Sequence, residues 1–159
     1  MVKILKYTKY ILIVFFRGLF TISIAGKIID PIAFRSFMIS LYKKSSLFLK
    51  MNGHLVSDII ILFYLCTILI EVFIIYTSLF HKEIFIYANL FYCMILFFIM
   101  FFMKINHIDT DCGCFGSIVT IRASIMFYID FSISILSFIL VIIELTGKII
   151  IQEPSKIYR

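Results

Sequence analysis

The chain has 159 residues, of which 63% are hydrophobic and only 15% charged, with a formal net charge of +6. Its mean hydropathy is +1.12. A water-soluble domain of this length is usually about half apolar and about a quarter charged, so the solvent for much of this surface is lipid. The positive charge does not point to nucleic acid. Lys3, Lys6 and Lys9, the segment 35–50, and Lys148, Lys156 and Arg159 flank apolar runs, where basic side chains meet lipid headgroups.

In chain order, the first apolar run covers roughly 10–29. The lysines before it and Ser23-Ile24-Ala25 have the outline of a signal peptide. Arg17 interrupts the run and further runs follow, so it is read as a retained span. Asp30-Pro31 comes next, an N-cap with proline at the first helical position. Phe34, Phe37, Met38, Leu41 and Tyr42 repeat at helical spacing, with Arg35, Ser36, Ser40, Lys43 and Lys44 on the other side. That pattern predicts an amphipathic helix lying in the membrane interface. A second apolar run (56–80) and a third (84–103) are joined by His81-Lys82-Glu83, short enough to force an antiparallel hairpin. A fourth run covers 123–145. Each is about 20 to 25 residues, the length that crosses a hydrocarbon core of about 30 Å. None alternates with a period of two, which excludes a membrane barrel. The expected fold is a single all-α domain over 1–159, an integral membrane four-helix bundle with an interfacial helix after the first span.

Two groups of residues carry chemistry. The first is the loop before the last span, Asp111-Cys112-Gly113-Cys114-Phe115-Gly116. Cys112 and Cys114, one glycine apart, can close a small strained ring, and strained disulfides exchange readily. A bridge spanning one residue removes little chain entropy, so stability is a poor explanation for it. A redox-active pair, a structural pair and a soft-metal site completed by His107 or Asp111 all remain open on these residues alone. The second group is the intramembrane charges Arg17, Lys27, Glu71, Arg122 and Asp130, each costly in lipid unless paired or functional. Counting helical rise, Arg17 and Glu71 lie about 10 and about 14 Å from the same side, so they are expected to pair. Lys27, Arg122 and Asp130 fall on the side of the cysteine loop, where a cation lowers a thiol pKa. Glu144 is read as interfacial. Cys66 and Cys93, mid-span in the hairpin helices, are read as small apolar residues.

The string Asp111 to Gly116 before a final span resembles the signature of the methylamine utilisation MauE family, within the wider DoxX-like membrane proteins. Arg17-Gly18-Leu19-Phe20, Ala25-Gly26-Lys27, Asp30-Pro31, Phe34 and Glu71 are similar to that family's first helix, following turn and second span. The resemblance implies four transmembrane helices and a role in maturing a disulfide-rich periplasmic protein, in the named family the small subunit of methylamine dehydrogenase. It implies a thioredoxin-like partner, a disulfide-containing client and, through DoxX, contact with a quinone. The expected setting is the bacterial inner membrane, with both termini cytoplasmic and the cysteine loop periplasmic. Two other classes fit the residues: a non-catalytic assembly factor whose loop is shaped by the motif, and a small transporter or metal-handling protein using Arg17, Glu71 and Asp130.

Overall fold

The computed structural model describes residues 2–44, 53–107, 111–112 and 121–152. The elements run α1 (Val2–Ile29), α2 (Pro31–Lys44), α3 (Gly53–Phe80), α4 (Lys82–Ile105), β1 (Asp111–Cys112), β2 (Ile121–Arg122) and α5 (Ala123–Gln152). The described residues are all-α apart from one short antiparallel ladder. Four helices, α1, α3, α4 and α5, are long and apolar enough to cross a membrane. Leu69, Phe91, Phe98 and Phe138 are among the large side chains that point outward from them, as expected where the surroundings are as apolar as the core.

Each helix extends past its apolar run. α1 begins eight residues before the expected start because Lys3, Lys6 and Lys9 are compatible with continued helix while their heads reach the interface. α5 likewise runs to Gln152. Hydropathy marks where a helix meets lipid, whereas the helix ends where its backbone partners end.

The spanning helices form a ring in which α1 packs on α3, α3 on α4, α4 on α5, and α5 back on α1. The main core draws on all four, through Phe16 and Phe20 of α1, Ile74 of α3, Phe85, Ile86 and Tyr92 of α4, and Ile133 and Leu140 of α5. The hairpin between α3 and α4 is as tight as the sequence demands: His81 alone separates them, its N–H donating to Thr77 O at 2.7 Å.

α2 starts as expected. Asp30 Oδ1 accepts from the N–H groups of Ile32 at 3.0 Å and Ala33 at 3.2 Å, an N-cap in front of Pro31. Its apolar side buries Phe34 and Phe37 while Arg35 and Ser36 are exposed. Phe34 lies against Tyr64 of α3, with ring centroids 5.5 Å apart. α4 ends at Asn106, and His107 adopts a φ of 49°. That left-handed residue, uncommon without glycine, turns the chain off the helix axis towards β1.

Candidate functional site

The cysteine loop is anchored by backbone pairing. β1 and β2 are antiparallel, with Asp111 opposite Arg122 and Cys112 opposite Ile121. The ladder sits at the end of the bundle where α4 stops and α5 starts, and β1 also contacts α2. β1, which includes Cys112, is therefore set between α2, α5 and β2. Gly113, Cys114, Phe115 and Gly116 lie outside the described residues. Arg122, exposed on β2, is on the cysteine side of the bundle, as its sequence position requires.

Beneath the ladder lies a methionine-rich layer: Phe37, Met100, Met103 and Met126 are buried together, with Ile121 packed against them. Met126 also lines an internal cavity of about 40 Å³, whose wall includes Ser23, Lys27, Glu71, Tyr92, Cys93 and Asp130. By helical rise this chamber is about 10 Å below the start of α5 at Asp130 and about 18 Å below the end of α4 at Cys93.

The chamber contains an ion pair. Lys27 Nζ lies 2.6 Å from Glu71 Oε1, with both residues 2% exposed. The same oxygen accepts from Ser23 Oγ at 2.9 Å and Tyr92 Oη at 2.8 Å. Lys27 Nζ also donates to Ser23 Oγ at 2.7 Å. Three helices thus meet on one carboxylate oxygen. The other oxygen, Oε2, is buried and has no hydrogen-bond partner. Asp130, 3% exposed, faces the same space from α5.

The expected Arg17–Glu71 pair is not formed. Helical side chains lean towards the helix N-terminus, so Lys27 reaches back a full turn to Ser23 and meets Glu71 there. Arg17 leans the same way and meets Ser78 instead: Nε donates to Ser78 Oγ at 2.7 Å and a terminal nitrogen donates to Ser78 O. That carbonyl belongs to the last turn of α3, where acceptors lack intrahelical partners and a cation is favoured. Rise counted at Cα, without side-chain length and direction, put the wrong cation beside Glu71. Lys27 is consequently engaged with Glu71, while the thiols it was expected to accompany lie outside the described side chains. Glu144 is also more enclosed than expected, being buried and paired with Lys9 and, at 3.8 Å, with Lys148.

Neutral polar contacts the sequence did not signal join α4 and α5. Asn89 Nδ2 donates to Ser137 Oγ at 2.7 Å, and Ser134 Oγ donates to the Cys93 carbonyl at 3.2 Å. Cys93 is buried and Cys66 exposed on the lipid side, both as free thiols. Among the described residues no group of three or more His, Cys, Asp or Glu side chains is arranged to hold a metal.

A second space opens sideways. A groove of about 500 Å³ between α1 and α5 is lined by Val14, Phe15, Gly18, Leu19, Ile22, Ile121 and Ile129. Gly18 lines it with nothing within 4 Å of where a Cβ would stand. One end is Ile121, the residue opposite Cys112. Leu19 belongs to the walls of both spaces. Compared with protein families, curated proteins and solved structures, the chain has no match.

Proposed function

We propose that this chain is a membrane thiol–disulfide component, resembling the MauE proteins, in which Cys112 and Cys114 exchange with a thioredoxin-like protein or a disulfide-containing client. The observation that carries the reading is the anchoring of Cys112: the first cysteine of the Cys-Gly-Cys motif belongs to a strand ladder at the rim of a lipid-embedded bundle. A rim position suits exchange with a soluble protein, and a mid-bundle position does not. The setting is the bacterial inner membrane, with the loop on the periplasmic side.

The exchange balances as follows. A client thiolate attacks the Cys112–Cys114 disulfide, giving a mixed disulfide and one free thiolate on this chain. A second client thiolate resolves it, leaving the client oxidised and Cys112 and Cys114 as a dithiol that has gained two electrons and two protons. Reoxidation passes both electrons and both protons to a quinone, which leaves as quinol. The apolar groove supports this last step, because it opens to lipid and ends at Ile121 opposite Cys112. It offers an isoprenoid tail a lateral berth. The enclosed chamber, with room for only a few water molecules, gives no support to solute transport.

Trapping tests the reading. Cys112→Ser or Cys114→Ser leaves one thiol to attack and none to resolve, so one of the two is expected to accumulate a reducible mixed disulfide in cells. If neither variant traps a protein and the double variant retains function, the redox role is wrong. Gly18→Leu, which fills the groove, is expected to slow quinone-dependent reoxidation while leaving trapping intact.

A further inference from the structure

With every carboxyl ionised, the chamber would carry one more negative than positive charge. Lys27 and Glu71 cancel, and Asp130 then adds a carboxylate to a site closed off from water. Among the described residues, the groups with an ionisable proton that face it are Lys27 from α1, Glu71 from α3, Tyr92 and Cys93 from α4, and Asp130 from α5; α2 presents Phe34. Arg17 is turned to Ser78, about 10 Å further along α3 from Glu71, and Arg122 is exposed on β2. Neither supplies the missing charge locally. An unbalanced carboxylate among lipid-embedded helices carries the penalty of a buried charge without its partner.

A second observation points to an occupant. Glu71 Oε2 has no donor although Oε1 of the same carboxylate has three. Buried carboxylate oxygens are ordinarily satisfied, and here the cavity adjoins the residue that is not. Its volume of about 40 Å³ is room for about three or four water-sized species at roughly 10–15 Å³ each.

We propose that the chamber between Lys27, Glu71 and Asp130 binds one monovalent cation, a proton or a small alkali ion, shared between Asp130 and the free oxygen of Glu71. One positive charge brings the site to neutrality and gives Glu71 Oε2 its missing partner, directly or through water. A divalent or soft metal is disfavoured, because it would overcharge the site and, among the described residues, finds no three-ligand cluster. The proposal does not depend on the dithiol.

Infrared spectroscopy of the full chain in zwitterionic lipid nanodiscs tests it, in choline buffer against sodium, lithium or potassium and in H₂O against D₂O. A bound proton gives a carboxylic-acid carbonyl band that moves to lower frequency in D₂O and ignores alkali ions. A bound alkali ion gives a saturable shift of the carboxylate band with a rise in thermal midpoint, for one of the three salts over the others. Either signal supports the site if Asp130→Asn removes it and Cys112→Ser with Cys114→Ser leaves it in place. A wild-type chain showing neither signal overturns the proposal, as does a signal that survives in Asp130→Asn. The wild-type spectrum needs no variant to fold.

Discussion

Lys–Glu pairing occurs at two places in this bundle under different conditions. Lys27–Glu71 is closed off, 2.6 Å long and joined by Ser23 and Tyr92. At the other end, Lys9 and Lys148 share Glu144, and Lys148 also reaches Glu83 at 3.2 Å; there the Lys148 and Glu83 side chains are 42% and 68% exposed. The chemistry is the same and the surroundings are not. Where water or headgroups reach a pair, its loss is absorbed by solvation. Where they do not, the partner left behind is a bare charge among apolar side chains. The inner pair therefore determines how α1, α3 and α4 fit together, while the outer cluster trims the helix ends.

Five variants sharpen or break this contrast, each read as unfolding free energy in a denaturing-detergent titration. Glu71→Ala carries the largest expected effect, a loss of about 3–5 kcal/mol, because it strands the Lys27 ammonium. Lys27→Met with Glu71→Met should recover most of that loss, and no recovery would mean the pair is not the source. Arg17→Ala should cost about 1.5–3 kcal/mol, the range for hydrogen bonds to a charged group. Asn89→Leu, which removes the α4–α5 contact to Ser137, should cost about 0.6 kcal/mol and at most about 2. Lys9→Ala should cost under about 1 kcal/mol, since Glu144 keeps Lys148. An outer loss as large as the inner one would erase the distinction between the two regions.

The bundle was legible in the sequence because lipid imposes one simple condition: runs of about 20 apolar residues that satisfy their own backbone. The α2 start was equally plain, since Asp30-Pro31 acts locally. Pairings inside the bundle were harder to read. Residue numbers fix Cα height, yet Lys27 and Arg17 act through side chains long enough to change which turn they meet. Ser23, Ser78, Tyr92 and Asn89 gave no signal of their own, because a single polar residue in an apolar run names no partner. Glu144 was read as interfacial, and its partners Lys9 and Lys148 lie at that end of the bundle, although its own side chain is buried. The cysteine motif was visible as a string, and the structure adds the strand register that ties Cys112 to Ile121.

The central claim is that Cys112 and Cys114 form an exchangeable pair at the periplasmic rim, and thiol accessibility tests it most directly. Intact cells are treated with a membrane-impermeant thiol reagent, with and without prior mild reduction, and modified peptides are assigned by mass spectrometry. The account predicts labelling of Cys112 and Cys114 only after reduction, without permeabilising the inner membrane, while Cys93 stays unlabelled throughout. Equal labelling with and without reduction, or labelling that requires a permeabilised inner membrane, would contradict it.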